Sequence, residues 1–582
     1  MYLRQNYNKD TGRTYLLIVQ SYREKGRKNP TAKVVKSLGY LDTLEKEYEN
    51  PVEHFKKIAR EMNEENFPAV IELNIQEQLP AKGALRMNLG YAVIVKLFYE
   101  LRLHAFFQNR QRHKLFEYNT ASIMLLLVIS RLLSPASKKR TFEDKTRYFE
   151  RFDFELYDVY RSLSHFAGLA TETQRHIHKQ ITERYGRKTE LVYYDVTNYY
   201  FEIDEEDDLR KKGVCKEHRP DPIVQMGLTM DTDGIPIAYK LYPGNDNDVT
   251  TLRPMLRELK TEYNMGRIIV VADKGINSGD NIYYMKTDND RDGYVISFSV
   301  RGASNKFKEY VLDQTEYYHP KKKCPDGTVL DEPDETFKIK SRCDVRYINV
   351  SKTGGGKMLK PVEEKQVIFY SKKYADKAKT ERAETVRKAH ELCSNPSRYN
   401  KATSYGAAKY VKNLNVDKET GEILTDKGNY PVFDAGKLAE EEKYDGYYAI
   451  VTSEMDRSDD WVIQTYRGLW EIEEAFKITK SELETRPVYV SRKDHIEAHF
   501  LSCFISLVIA RLLEKKIGLA FPLPRIIEAI NNISCSAEDK NLYLFDYRSD
   551  ISNLLGDAFG TDFTRKRLRL NQIKNILANC KK

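Results

Sequence analysis

The sequence has few of the features that are typical of disulfide-bonded, zinc-binding or membrane proteins. Its seven cysteines among 582 residues are scattered and form no Cys-x-x-Cys pair, which argues against a disulfide framework and a zinc cluster. The longest apolar runs, 123–129 and 500–513, are shorter than the ~20 residues that cross a bilayer, and the start lacks a signal peptide's apolar stretch. We therefore expect a cytoplasmic protein without a membrane segment.

Charge of one sign is also only in small excess. The 95 Lys and Arg residues against 86 Asp and Glu leave a formal net charge of +9, which permits a polyanionic partner without requiring one. Basic residues gather at 23–28, 138–140 and 565–569, although each group is also compatible with an ordinary solvated surface. The chain exceeds the roughly 250–300 residues at which a single core stops growing, so several domains are expected.

The first region, 1–80, has the pattern of a β-hairpin followed by a helix. Two strand patterns, 14–21 and 32–38, are joined by the basic segment 23–30, and Asn50-Pro51 marks a helix start. Because a hairpin with a basic tip can reach into DNA, we predict a DNA-binding module here.

Two further regions are predicted to be helical. Residues 81–186 show helical periodicity throughout and are expected to form a domain that either binds DNA or serves as a scaffold for the rest of the chain. Residues 516–582 are expected to form a basic, helical C-terminal region.

Between these regions the pattern changes to alternating strands and helices. The predicted elements are strands at 191–202, 224–230, 235–241, 267–273 and 294–300, with helices at 250–263 and 278–286. This order is typical of a ribonuclease H-like fold. A strand pattern resumes at 444–453, so the predicted class is multidomain α/β, with a catalytic core (187–300 and 445–515) split by a β-rich insertion domain (301–444).

Three acidic residues stand out in this core. Asp195 interrupts an apolar strand, Asp273 ends another, and Glu473 lies on an amphipathic helix predicted over 459–483. Neighbouring strands are ~5 Å apart, so two carboxylates there can share a pair of metal ions. Ionised carboxylates in such apolar surroundings are costly to bury without cations, and three oxygen ligands favour Mg²⁺.

The predicted helix carries further polar residues. At 3.6 residues per turn, Tyr466, Trp470, Glu473, Lys477 and Lys480 share one face. This arrangement is found both in surface ion pairs and in metal ligands with phosphate-binding neighbours.

The segments YYDVTNYYFE, ADKGINSGDN and YRGLWEIEEAFKITKSELETRPVY resemble those of bacterial insertion-sequence transposases of the DDE type. The resemblance is to the group whose third motif reads Tyr-x2-Arg-x3-Glu-x6-Lys. Tyr466, Glu473 and Lys480 match that spacing, while Leu469 replaces the arginine and Arg467 lies two residues away. The β-rich insertion before the glutamate and the N-terminal hairpin extend the resemblance over most of the chain.

The resemblance implies a DNA transposase that binds terminal inverted repeats, cleaves the ends and transfers the 3′-hydroxyls to target DNA. Asp195, Asp273 and Glu473 would be the catalytic residues and would hold two Mg²⁺ ions, with Mn²⁺ expected to substitute. The partners would be double-stranded DNA and a second copy of the chain in a synaptic homodimer, without a nucleotide cofactor. The residues expected to contact DNA are Tyr466, Arg467, Lys480, Lys274 and Lys477.

Two alternatives stay open at this stage. A ribonuclease H-fold nuclease or resolvase would use the same carboxylates to hydrolyse DNA without joining it. A non-catalytic DNA-binding protein derived from a transposase would keep the basic regions alone, although the intact acidic trio argues against it.

Overall fold

The computed structural model describes the chain except for residues 10, 23–30, 65–85, 113, 214–220, 288–291, 324–327, 400–403, 405, 417–422, 425–429, 487 and 539–540. The chain divides into two compact units, Met1–Gly83 and Ala84–Lys582. The basic hairpin tip 23–30 and the boundary expected near residue 80 lie outside the described residues.

The first unit is a three-stranded antiparallel sheet with two helices. Its elements are β1 (Tyr2–Tyr7), β2 (Thr14–Tyr22), β3 (Thr31–Tyr40), α1 (Leu41–Leu44) and α2 (Pro51–Glu64). The expected hairpin is present as β2 and β3, and the side chain of Asn50 accepts a bond from the Glu53 amide at the start of α2. Strand β1 is not predicted by the sequence, because nearly all its side chains are exposed and show no alternation.

The second unit begins with a short strand and six helices. These are β4 (Met87–Asn88), α3 (Ala92–Glu100), α4 (Leu103–Gln111), α5 (Thr120–Leu133), α6 (Lys138–Glu143), α7 (Leu156–Ala167) and α8 (Ala170–Tyr185). Helix α5 is buried along nearly its whole length, which explains the uniformly apolar run at 123–129.

The alternating region follows as expected from the sequence. Its elements are β5 (Leu191–Tyr200), β6 (Ile223–Met230), β7 (Pro236–Pro243), α9 (Asp248–Thr261), β8 (Ile269–Ala272), α10 (Gly279–Thr287) and β9 (Gly293–Phe298).

Residues 301–444 contain two long strands, one long helix and several shorter elements. These are α11 (Asn305–Leu312), β10 (Lys321–Lys323), β11 (Val329–Pro333), β12 (Phe337–Ser351), β13 (Lys357–Ser371), α12 (Lys372–Ser394), β14 (Val411–Lys412), β15 (Asn415–Val416), β16 (Ile423–Leu424), β17 (Val432–Phe433) and α13 (Ala435–Glu442).

The remaining elements complete the core and the C-terminal region. They are β18 (Tyr447–Thr452), α14 (Asp459–Arg467), α15 (Trp470–Lys477), a π-helical turn (Ile478–Glu482), α16 (Lys493–Lys516), α17 (Leu523–Asn532), β19 (Ser534–Glu538), β20 (Leu542–Phe545), α18 (Asp550–Phe559), β21 (Arg567–Arg569) and α19 (Leu570–Cys580).

An eight-stranded mixed sheet organises the second unit, in the order β12-β13-β18-β9-β8-β5-β6-β7. Strands β5, β8 and β9 are parallel, and the other neighbouring pairs are antiparallel. Strand β18 joins β9 to β13, so β12 and β13 continue the central sheet. The residues predicted as a separate insertion therefore contribute two strands to the same sheet as the acidic strands.

Two hydrophobic cores cover the faces of this sheet. One face packs against α9 and α10, and the other packs against a large helical core that includes α5, α7 and α16. Helix α16 is long and apolar enough to cross a membrane by composition alone, but 94% of its apolar window is buried inside the protein. It is a central core helix of the unit.

The C-terminal region differs from the helical prediction. Strands β19, β20 and β21 form a four-stranded sheet with β4, in the order β21-β20-β19-β4. A sequence-based assignment favours helix here because each strand is only three to five residues long and one edge comes from the distant residues Met87 and Asn88.

A buried ion pair fixes the start of the central sheet. The Nε atom of Arg187 lies 3.4 Å from Oδ2 of Asp231, and both side chains are almost fully buried. Arg187 also donates to the carbonyl of Pro236, while Oδ1 of Asp231 accepts bonds from the amides of Asp233 and Ile235. Burial raises the pKa of Asp231 even though Arg187 opposes the shift, so the carboxylate depends on its cationic partner.

We expect Arg187→Met to lower the free energy of unfolding by about 3–5 kcal/mol, because it leaves the Asp231 carboxylate buried without a cation. Chemical denaturation of the purified protein measures the change. The exposed neighbour Arg184 is a matched control, and Arg184→Met should change stability by less than about 0.5 kcal/mol. Equal losses in both variants would show that the ion pair does not have this role.

Candidate active site

Asp195 and Asp273 lie side by side where the parallel pairing of the central strands β5 and β8 ends. Tyr194 of β5 is paired in parallel with Ala272 of β8, so Asp195 and Asp273 occupy the next register position on the two strands. Adjacent strands are about 4.8 Å apart. The register therefore brings together two acids that are far apart in the sequence.

Both acids also point to the same face of the sheet. Tyr194 and Ala272 belong to the core that includes α9 and α10, whereas Tyr193 and Val271 belong to the helical core. Because side chains alternate along a strand, Asp195 and Asp273 face the helical side. Helix α14 packs across β8 and β9 on this side, and α15 packs across β5 and β6.

The exposure of these acids differs from the prediction. Asp195 is half-buried and Asp273 is exposed, so the expectation that both are buried is wrong for Asp273. The strand residues before both acids are buried. Strand β8 ends at Ala272, directly before Asp273, whereas β5 continues past Asp195 to Tyr200. The end of β8 thus leaves Asp273 open to solvent.

Two hydroxyl groups hold the Asp273 carboxylate. Ser297 lies at the register position next to Asp273, on β9, and its Oγ donates to Oδ1 of Asp273 at 2.7 Å. The hydroxyl of Tyr466, from α14, donates to the same oxygen at 3.2 Å. Ser297 was not among the residues predicted from the sequence, although the alternation along β9 places it on the helical face of the sheet.

The helix carrying Glu473 is broken, contrary to the prediction of one helix over 459–483. Helix α14 ends at Arg467, and a tight turn at Gly468 and Leu469 precedes α15. The turn is made by three-residue bonds such as Glu471 N to Gly468 O. A Cβ atom at Gly468 would lie 2.3 Å from the buried hydroxyl of Tyr193, so close contact with β5 requires glycine here.

The end of the same helix is also irregular. Residues Ile478–Glu482 form a π-helical turn, in which Leu483 N bonds to Ile478 O. A π turn holds one more residue than an α turn, so Lys480 is not at the rotation that a uniform helix predicts. The prediction that Lys480 shares one face of a uniform helix with Tyr466 and Glu473 is therefore wrong in its geometry.

The acids of α15 have separate environments. Arg511 of α16 is buried and pairs with Glu471, Glu474 and Glu514. Glu473 is exposed and has no part in these ion pairs. Burial raises the pKa of Tyr466, and the negative charges of Asp273 and Glu473 raise it further, so Glu473 is within electrostatic reach of the tyrosine that binds Asp273.

The basic residues predicted to contact DNA lie at different places around the two strand acids. Lys480 has its ammonium 5.6 Å from the ring centre of Tyr199, which shares a face of β5 with Asp195. Arg467 is exposed, and its guanidinium lies 5.5 Å from the ring centre of Phe337 on β12. Lys274, directly after Asp273, and Lys477, on α15, are exposed.

The donor chemistry of the site suits a hard divalent cation, since the acids and hydroxyls offer only oxygen atoms. Among the residues that the structure describes, however, no group of three or more His, Cys, Asp or Glu side chains is close enough to hold a metal ion. Asp195 and Asp273 are adjacent in register, and the charge of Glu473 raises the pKa of Tyr466. The assignment of all three as metal ligands stays a prediction.

Comparison with known families agrees with this arrangement. Residues 3–70 match the N-terminal domain of IS1634 family transposases, and residues 210–509, just over half of the chain, match the transposase DDE domain. The chain belongs to the DDE transposases of bacterial insertion sequences.

Other comparisons add less. No curated protein sequence matches the chain. A solved structure, the cryo-EM structure of a piggyBac transposase synaptic complex with hairpin DNA, is similar over 84% of this chain and 84% of its own, with 8% sequence identity and a TM-score of 0.31. A likeness at that score supports no argument about this chain.

We expect Gly468→Ala to destabilise the protein by about 1–3 kcal/mol, because the new methyl group overlaps the buried Tyr193 hydroxyl. Denaturant unfolding measures this loss. Gly266 has open space around its Cβ position, so Gly266→Ala is a control that should cost nothing. Unchanged stability in Gly468→Ala would contradict the close approach of this turn to β5.

Proposed function

We propose that the protein binds the terminal inverted repeats of its insertion sequence, cleaves the DNA ends and transfers the 3′-hydroxyls to target DNA. The observation that carries this proposal is the parallel register of β5 and β8, which sets Asp195 beside Asp273 on one face of the sheet. The family match makes the protein a DDE transposase. The individual steps and their residues are our proposal.

We further propose that the core is ribonuclease H-like. The strand order β7-β6-β5-β8-β9, with β6 and β7 antiparallel and β8 and β9 parallel to β5, supports this assignment. The chain then leaves the core after β9 and returns at β18 before reaching α15. We assign the core to 187–300 and 445–515, with 301–444 as an insertion that extends the sheet.

In this proposal Asp195, Asp273 and Glu473 hold two Mg²⁺ ions, with Mn²⁺ able to replace them. When bound, such ions activate the attacking oxygen and stabilise the leaving oxygen of the phosphodiester. The protein's own part is to fix the ligands. Ser297 and Tyr466 both donate to Oδ1 of Asp273 and so set the orientation of that carboxylate.

The cations at the sheet edge are proposed to bind DNA phosphates. Lys480 and Tyr466 match the third motif and would hold the phosphate beside the scissile bond, with Lys274, Lys477 and Arg467 binding further along the backbone. We place the chain in the Tyr-Arg-Glu-Lys group despite Leu469, which occupies the arginine position. Leu469 is buried in the helical core, so it cannot replace the arginine's contact with DNA.

The regions outside the core are proposed to bind DNA or to support the site. We assign DNA binding to 1–80 and a scaffold role to 81–186, because α5 and α7 pack against α16. The partners would be the DNA ends, target DNA and a second copy of the chain, and binding should weaken as salt rises. The five described cysteines are free thiols, which supports action in the bacterial cytoplasm.

We expect Asp195→Asn, Asp273→Asn and Glu473→Gln each to reduce strand cleavage of a terminal-repeat substrate by about a hundredfold or more, with DNA binding retained. Cleavage in Mg²⁺ and binding by gel shift are measured on the same preparations. Glu474→Gln is a matched control on the same helix, because Glu474 pairs with Arg511 and should leave cleavage unchanged. Activity in an acidic-trio variant would disprove that residue's role.

A second experiment separates transposition from simple hydrolysis. Pre-cleaved ends with free 3′-hydroxyls are incubated with the protein, Mg²⁺ and a target plasmid. Joined products are expected. Nicking without joining would favour a nuclease or resolvase, and DNA binding without either reaction would favour a non-catalytic DNA-binding protein.

A further inference from the structure

The motif helix consists of α15 and the π-helical turn Ile478–Glu482. Its C-terminal end is buried, and the carbonyl groups there need hydrogen-bond donors. After the π-helical turn the chain passes through Leu483, which is buried, Glu484, which has a positive φ of 38°, and Thr485, which is buried. The last carbonyls of a helix have no partner within it, and they carry its negative dipole end. Cationic donors are therefore favoured at this position.

Arg131 of α5 donates to the two carbonyls that directly follow the π turn, that of the C-cap residue Leu483 and that of Glu484. Its Nη1 atom donates to the carbonyl of Leu483 at 3.1 Å and to that of Glu484 at 3.2 Å. Its Nη2 atom donates to the carbonyl of Ala136 at 3.3 Å. The side chain is buried, and all three contacts are to backbone carbonyls. A buried guanidinium thus spans α5, the loop before α6 and the end of the motif helix.

His499 and Lys138 complete the same arrangement. Nε2 of His499 lies 2.9 Å from the carbonyl of Thr485, and Nδ1 lies 3.2 Å from Nζ of Lys138. If Nε2 carries the proton, the histidine donates to Thr485 and accepts from the lysine. Both side chains are buried, so Lys138 is not part of a solvated basic group at 138–140. Burial lowers the pKa of Lys138 to about 7, helped by the charge of Arg131.

The π turn held in this way is also tied to the acidic strand. Thr479 is buried, and its Oγ1 lies 2.7 Å from the hydroxyl of Tyr199 on β5. Lys480 follows directly and lies over the ring of the same tyrosine. The rotation of this turn therefore decides where Lys480 lies relative to Asp195, which precedes Tyr199 by four residues and lies on the same face of the strand.

We propose that Arg131, supported by His499 and Lys138, is a positioning residue that holds the π turn open and so sets the place of Lys480 at the active site. The inference rests on the proposed function for the role of Lys480. Without donors for the carbonyls of Leu483 and Glu484, the turn loses the contacts that favour its wide geometry. Relaxation to an α turn would rotate Lys480 away from its position over Tyr199.

The test compares Arg131→Met with wild type by two readouts. Hydrogen exchange measures the protection of the amides in 478–485, where Leu483 and Thr485 donate to Ile478 and Thr479. Single-turnover cleavage at saturating DNA measures the chemical step. We expect Arg131→Met to lose protection in this segment and to cleave about tenfold to a hundredfold more slowly, with DNA affinity unchanged.

Two further variants make the result decisive. Arg131→Lys keeps a charge but not the two-point donor, so it should recover part of the rate and part of the protection. Arg161 is an exposed arginine that also donates to a backbone carbonyl, that of Leu115, and Arg161→Met should change neither readout. If Arg131→Met does not fold, hydrogen exchange in 478–485 and the cleavage rate are measured on Arg131→Lys and His499→Gln instead, with losses in the same direction expected.

The outcomes separate this inference from the proposed function. Lost protection with an unchanged cleavage rate, or a slower rate with full protection in 478–485, overturns the positioning role. Loss of protection spread equally over α5 and α16 also overturns it, since that is a general loss of stability. If wild type itself does not cleave, the proposed function fails, whereas the hydrogen-exchange result still decides whether Arg131 holds the turn.

Discussion

The parallel pairing of β5 with β8 and of β8 with β9 is the constraint on which the candidate site depends. It sets Asp195, Asp273 and Ser297 in one row, one position beyond the last residues that the parallel pairings join. Strand alternation then turns all three side chains to the helical face. A shift of one residue in either register would turn an acid to the opposite face.

The helices on one face of the central sheet supply the other contacts of the candidate site. Tyr466 reaches Asp273 from α14, and Gly468 lets the chain approach Tyr193 closely before α15 begins. Arg511 binds Glu471 and Glu474, whereas Glu473 is exposed and its charge acts on Tyr466. The candidate site thus lies where the central sheet meets a helix whose irregular end is contacted by the buried Arg131.

Much of the core could be predicted because its signals are local. Strand β5 has an apolar run around Asp195, and residues 231–234 form the turn between β6 and β7. The second acid, Asp273, directly follows the apolar strand β8. The short strands β19 to β21 and the exposed strand β1 could not be predicted in this way. The C-terminal strands are only three to five residues long, and β19 also pairs with the distant β4. The side chains of β1 are nearly all exposed and show no alternation.

The sequence by itself determined the order of the core elements, the three acidic candidates and the resemblance to DDE transposases, because residue spacing and hydrophobic periodicity act over a few neighbouring residues. Only the tertiary structure decided the strand register, the exposure of Asp273 and the part of Ser297. It also decided the breaks at Gly468 and Ile478, and the burial of Lys138 beside His499. These depend on contacts between residues that lie from 24 to 361 positions apart, for which local periodicity carries no information.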